Sequence, residues 1–197
     1  MGNVISKIIY GGGLIFDLAK WVIVVVLAIV LVNSFWLSIF VVDGASMEPS
    51  LHDGEVVLMS KSYLRGSVKP ERGDSVVVGY PGDPENKRYV KRVIGMPGET
   101  IQLKNGRVYI NNMLLRESYI PSDFSTLPDG KWDLATSQYF LMGDNRENSN
   151  DSRYFGAVEE RFFIGKAINV VLPALRAIIN PNYNLGYAAV SAPAAQE

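Results

Sequence analysis

Residues 100–110 read TIQLKNGRVYI. Two short β-type runs, 100–103 and 107–110, flank Asn105-Gly106, a pair suited to a type I′ turn because both central residues of that turn take positive φ. The segment therefore reads as an antiparallel hairpin, and the chain around it continues in the same style. Runs of the same kind occur at 55–59, 74–80, 88–94, 139–142 and 163–171. Asn111-Asn112, Pro81-Gly82-Asp83-Pro84 and Pro97-Gly98 supply further turn signals. Many short strands and few helical stretches predict a mainly β fold, an antiparallel β-sheet domain over residues 42–183. Residues 121–135 read as loop, and 184–197 as a disordered tail.

Composition narrows the chemistry. The chain has 197 residues, a formal net charge of −1 and a pI near 5.9, so its overall charge gives no case for nucleic acid. It has no cysteine, which removes disulfides, thiolate metal ligands and a cysteine nucleophile together. A single histidine, His52, rules out a multi-histidine metal site.

The mean hydropathy of +0.09 is owed mainly to one segment. From Trp21 to Val42 the chain reads WVIVVVLAIVLVNSFWLSIFVV, without a charged residue. Helical over 21–41, it would be about 31 Å long, enough to cross a hydrocarbon core of about 30 Å. Trp21 and Trp36 lie toward its two ends, where amphipathic rings favour the interface. Lys7 and Lys20 against Asp17 leave a small positive excess in front of it, which orients the N-terminus to the cytoplasm and the rest of the chain outside. The expected organisation is a cytoplasmic segment at 1–20, a single transmembrane helix at 21–41, an extracytoplasmic domain at 42–183 and the tail. A cleavable leader fits less well, because its apolar stretch would be only roughly 7–15 residues. A buried core helix would be striped rather than apolar all round.

Three segments carry polar chemistry. Ser46 lies in Gly44-Ala45-Ser46-Met47-Glu48-Pro49, and by itself reads most simply as a serine in a turn. In RYVKRVIG, residues 88–95, strand alternation sets Tyr89, Lys91 and Val93 on one face. Arg88, Val90 and Arg92 fall on the other, with both arginines able to reach solvent. An ordinary lysine, with a pKa of about 10.4, is neutral in only about one copy in 2,500 at pH 7. Loss of hydration among apolar neighbours lowers that pKa, and the neutral amine can then take a proton from a serine hydroxyl. The same alternation also fits the commoner case of a lysine whose stem lies on apolar surface while its amine stays in water. Residues 142–156, MGDNRENSNDSRYFG, crowd acids, amides, hydroxyls and arginines between apolar runs. That is either a solvated loop or a network of charge-assisted hydrogen bonds. His52, beside Asp53 and six residues after Ser46, invites a Ser-His-Asp reading. Adjacent side chains seldom point at each other and a triad is a geometry, so His52 reads as a loop histidine.

Taken in order, SMEP at 46–49, RGDSVVV at 72–78, YVKRVIGMPGE at 89–99 and GDNRENSNDSRYFG at 143–156 resemble the bacterial type I signal peptidases, which use a Ser-Lys dyad. The resemblance runs from the apolar segment to about Lys166. It implies that Ser46 is the nucleophile, that Lys91 is its general base, and that the Ser149 hydroxyl orients the lysine amine. It implies supporting roles for Asp144, Arg146, Asp151 and Arg153, and sets Met47, Leu51, Tyr89 and Val90 around shallow apolar pockets for small substrate side chains. Some members of the family carry a serine two residues before the nucleophile, where it helps stabilise the oxyanion; here that residue is Gly44. The oxyanion would then rest on the Ser46 N–H, with the Gly44 backbone or a water. The short stretch between the lysine and aspartate motifs leaves little room for the large accessory β domain of some relatives.

The function implied is a membrane-bound serine endopeptidase of the plasma membrane. It would remove signal peptides from exported preproteins, cutting after small residues through an acyl-enzyme. Its partners would be those preproteins and the lipid bilayer, with no nucleic acid, no metal or organic cofactor, and a monomeric state. Two alternatives remain at this stage. One is a self-cleaving Ser-Lys peptidase of the repressor type, against which stands the lack of a DNA-binding helical domain. The other is a catalytically silent scaffold, against which stands the presence of both Ser46 and Lys91.

Overall fold

A computed structural model of the chain describes residues 16–31, 36–61, 63, 68–79, 87–121, 124–178, 181 and 183. The chain divides into two units, residues 1–38 and 39–197. In the first, residues 16–31 form a helix, α1, about 24 Å long at 1.5 Å per residue. Its apolar residues are open on every side, and Trp21 through Val26 in succession each expose 52% or more of their surface. Among the described residues no helix is long and apolar enough to cross a membrane. The helix expected to continue to Val41 does not do so, because Leu37–Val41 is a strand, β1. Its sequence LSIFV mixes β-branched and aromatic residues, and alternate positions near its end are exposed, which suits a sheet edge. The expected tail at 184–197, most of the expected cytoplasmic segment and the Pro81–Pro84 turn lie outside the described residues.

The second unit is built from antiparallel strands: β2 (Val56–Ser60), β3 (Ser75–Gly79), β4 (Arg88–Gly95), β5 (Thr100–Lys104), β6 (Arg107–Ile110), β7 (Met113–Leu114), β8 (Gly130–Asp133), β9 (Gln138–Met142), β10 (Val158–Glu159), β11 (Phe163–Leu172) and β12 (Arg176–Ala177). A four-residue helix, α2 (Ser152–Phe155), precedes β10. The larger sheet runs β1-β2-β11-β3-β4-β9-β10, with β12 also pairing β11, and the smaller runs β7-β6-β5-β8. The expected strands all form. The hairpin turns where expected, with φ of 52° at Asn105 and 72° at Gly106 and Lys104 opposite Arg107. Asn111 and Asn112 repeat the device with φ of 50° and 67°. The stretch read as loop over 121–135 contains a strand, β8, which pairs Trp132 with Ile101 across the smaller sheet. Its GKWD sequence has one large apolar residue, so pairing with β5 makes the strand rather than local pattern.

β4 is central and covered on both faces. Val93 packs with Val76, Val78 and Leu141 in one cluster, while Ile94 packs with Ile101, Leu103 and Phe140 in another. A third cluster joins Val42, Met47 and Leu51 to Val57, Ala167 and Val170, pinning the turn that carries Ser46 onto β2 and β11.

Candidate active site

The turn carrying Ser46 is held at both ends. Gly54 N–H donates to Val42 O at 2.9 Å, and Leu51 N–H donates to Met47 O at 2.9 Å. With Met47 and Leu51 both buried, the neighbouring serine is placed by anchors on the core side. Lys91 arrives from the middle of β4, opposite Val76 of β3. Its Nζ lies 2.6 Å from Ser46 Oγ, and the residue is only 2% exposed. Burial, the largest influence, lowers its pKa to about 8; the Asp151 and Asp144 carboxylates pull it back upward and Arg153 pushes it down. The ammonium donates to Ser46 Oγ, and the neutral amine can accept the hydroxyl proton across the same contact.

Behind Ser46 and Lys91 stands the loop that follows β9. Asn145 N–H donates to Ser46 O at 3.1 Å, and its Nδ2 donates to Ala45 O at 3.1 Å. Gly143 packs so closely that a Cβ there would sit 2.4 Å from Ser46 O and 2.3 Å from Ser149 Oγ. Neither Gly143 nor Asn145 stands out by residue type, since the signal is a close backbone approach that no local pattern carries.

Asp144, Arg146, Asp151 and Arg153 are all buried in the segment that follows β9. Asp144 binds Arg92 through both oxygens, at 2.8 and 2.6 Å, with both side chains fully buried. This corrects the expectation that Arg92 reaches solvent: alternation separates the two faces of β4 but cannot tell that the second is also covered. Asp151 accepts from Gly143 N–H at 2.9 Å and from Arg153 Nε and Nη2, each at 2.8 Å, and it caps α2. Arg153 also ties down the carbonyls of Arg146 and Leu127 at 2.6 Å each. Arg146 is buried against Glu117. Ser149 is present beside Gly143, yet among the described residues its buried Oγ has no hydrogen-bond partner, so the bond to the Lys91 amine is not made.

Ser46 opens on a cleft of about 290 Å³. Met47, Tyr89 and Val90 line it with Phe40, Val42 and Val77, and the charged Asp43, Lys87 and Arg88 line it as well. Leu51 does not: it is 0% exposed and belongs to the core beneath, because the turn bond to Met47 directs it inward. Gly44 has φ of 93°, a conformation that favours glycine, and its N–H donates to Asp53 Oδ1 at 2.7 Å. It is therefore not available to an oxyanion, whereas among the described residues nothing occupies the Ser46 N–H. His52 faces Glu48, with Nδ1 3.7 Å from Oε1, and both are largely exposed. Among the described residues no three His, Asp or Glu side chains are grouped to hold a metal ion.

A serine hydroxyl bonded to a buried, readily neutralised amine and opening on a cleft is the equipment of a serine hydrolase with a lysine base. Comparison with known proteins agrees with that class. A family model described as signal peptidase, peptidase S26, matches residues 15–172. A signal peptidase I of Bacillus amyloliquefaciens is 41% identical over 150 residues, covering 71% of this chain and 77% of that protein. A second from the same organism is 37% identical over 170 residues, covering 80% and 86%. One from Pseudomonas aeruginosa is 35% identical over 195 residues, covering 74% and 68%. The chain belongs to the signal peptidase family, peptidase S26, and is a serine endopeptidase of that kind.

Proposed function

We propose that this chain removes N-terminal signal peptides from exported preproteins, with Ser46 as nucleophile and Lys91 as general base. The observation that carries the reading is the 2.6 Å contact from Ser46 Oγ to the Nζ of a lysine that is almost wholly buried. Neutral Lys91 takes the Ser46 proton as Oγ attacks the scissile carbonyl carbon, and the resulting ammonium gives a proton to the leaving amine. Lys91 then takes a proton from water as the water oxygen attacks the acyl ester, and returns that proton to Ser46 Oγ as the C–Oγ bond breaks, which restores the hydroxyl and the neutral amine. The Ser46 N–H supplies a donor to the oxyanion. The arginines and carboxylates around Gly143 serve as supports of the dyad.

An extended substrate points alternate side chains at one wall, so the residue before the cut and the one two positions earlier face the same apolar surface. A cleft walled by Met47, Tyr89 and Val90 suits small side chains at both, the pattern of a signal-peptide cleavage site. The apolar residues of α1, open on every side, support a membrane anchor in the residues before β1. Lys7 and Lys20 favour a cytoplasmic N-terminus, with the peptidase domain on the outer side of a plasma membrane.

The test is cleavage of a preprotein in detergent micelles by the wild type, Ser46→Ala and Lys91→Met. Both variants are expected to lose cleavage. Wild-type rates from either would refute the dyad, and a wild type that cuts only unrelated peptides would refute the substrate.

A further inference from the structure

The described chain continues past the family match, and Tyr183 returns to the catalytic domain behind β4. A Cβ on Gly73 would sit 3.0 Å from the Tyr183 ring and 2.6 Å from Pro181 O, so this segment lies directly on the Gly73 backbone. Tyr183 Oη is 2.5 Å from Tyr119 Oη, and the two rings meet edge to face, centroids 6.2 Å apart. Tyr119 Oη also lies 2.6 Å from Glu117 Oε1. Either phenol can donate across the contact between them, and the Tyr183 hydroxyl also lies 3.5 Å from the same Glu117 oxygen.

From Tyr119 two branches lead to the site. In one, Glu117 holds the Arg146 guanidinium through both oxygens at 2.6 and 2.5 Å, and Arg146 Nε donates to Gly143 O at 3.1 Å. In the other, the Tyr119 ring carries the Arg92 guanidinium 4.6 Å from its centroid. Arg92 bonds both oxygens of Asp144 and donates to Gly73 O at 2.7 Å, the glycine that Tyr183 covers. Both branches end on Gly143-Asp144, the pair packed against Ser46.

We propose that Tyr119 and Tyr183 are positioning residues of this peptidase, holding Arg92 and Arg146 so that Gly143 and Asp144 stay fixed behind Ser46 and Lys91. The inference rests on the dyad reading. Arg92 is fully buried, and a buried cation is tolerated only while its partners stay in place. Burial alone disfavours that cation, but the hydrogen bonds and charge of Asp144 outweigh it. Burial also raises both phenols above their ordinary value, so both stay protonated where the peptidase works and face Arg92 as neutral rings. Removing the Tyr183 ring lets water reach Gly73 and Arg92. Asp144 is then less neutralised, and its charge holds a proton on Lys91 to higher pH. The other groups facing that amine are Asp151, Arg153, Ser46 Oγ and the Tyr89 ring at 5.9 Å.

The experiment uses the full chain with preprotein substrate, comparing wild type, Tyr183→Ala, Tyr183→Phe and Tyr119→Phe, with Ser46→Ala alongside. A loosened positioning network should lower kcat of Tyr183→Ala about tenfold or more, leave KM within about twofold, and move the acid limb of kcat/KM to higher pH. Tyr183→Phe, which keeps the ring on Gly73, should recover kcat to within about threefold of wild type. Tyr119→Phe keeps the ring under Arg92 but frees Glu117, so a fall in kcat at constant KM is expected there as well. It carries the test if Tyr183→Ala does not fold. Unchanged kcat and an unmoved acid limb in Tyr183→Ala, or in Tyr119→Phe, overturn the proposal, and so does a loss confined to KM. Cleavage by Ser46→Ala would instead overturn the dyad, and this inference with it.

Discussion

Beside Ser46 the Lys91 amine gives up most of its hydration, and burial lowers its pKa from the ordinary lysine value to about 8. If the neutral amine is the base, kcat/KM should climb about tenfold per pH unit below that point and level off above it. A pH–rate profile on a peptide substrate checks this, and an acid limb near pH 10 would mean that the working amine is hydrated. The same shift has a stability consequence whose sign is fixed. Below about pH 8 both folded and unfolded chains hold the proton, and the folded state bears the cost of the buried charge. Between there and the unfolded pKa of about 10.4 the unfolded chain binds more protons, so stability rises with pH until the cost is gone. Lys91→Met should therefore melt higher than wild type at pH 7, by at most about 3 kcal/mol at about 1.4 kcal/mol per pKa unit. The advantage should fade as pH approaches 10.5, and a variant less stable than wild type at pH 7 would contradict it. Lys91 and Arg92 also mark how far single residues can be read. Alternation separated them correctly, but that neither faces water follows from partners far along the chain, Ser46 for Lys91 and Asp144 for Arg92.

Local elements were legible where the signal is local. Asn105-Gly106 declared its hairpin because both φ angles must be positive, and the long strands declared themselves through short runs bounded by turns. β8 did not, and the loop after β9 disclosed its residue types without its partners. That loop depends on Gly143, whose missing side chain leaves room for Ser46 O and Ser149 Oγ. Gly143→Ala would force a Cβ to 2.4 Å from a backbone carbonyl that cannot turn aside, so the Ser46 turn must shift. A displacement of about 1 Å at a reacting group costs on the order of a hundredfold in rate. Activity should fall by about that factor while the β-sheet circular dichroism signal stays, since β4 and β9 pair without the Gly143 side chain. Full activity in Gly143→Ala would mean that this contact does not set the Ser46 turn. Ser149 belongs to the same element: its place beside Gly143 follows from chain order, while its hydrogen bonding depends on distances that no spacing encodes.

Over the whole chain, an apolar helix precedes a β domain, and the point where one ends was the least legible boundary. LSIFV at 37–41 prolongs the uncharged run past Asn33-Ser34, and its place beside β2 makes it sheet. A chain that begins at Trp36 keeps β1 and every strand after it, and it lacks the exposed apolar surface of α1. If α1 belongs to a membrane anchor, that shortened chain should leave the membrane fraction on carbonate washing, while the full chain stays. Anchoring enzyme and preprotein to one surface raises their effective concentration without any new contact at the site. The shortened chain should therefore cleave a short soluble peptide within about threefold of the full chain, yet lose about tenfold or more on a preprotein held in lipid vesicles. Equal losses on both substrates would mean that the leading residues serve the fold of the β domain. Equal activity on both would remove the anchor from the mechanism and leave Ser46 and Lys91 to act on preproteins met in solution.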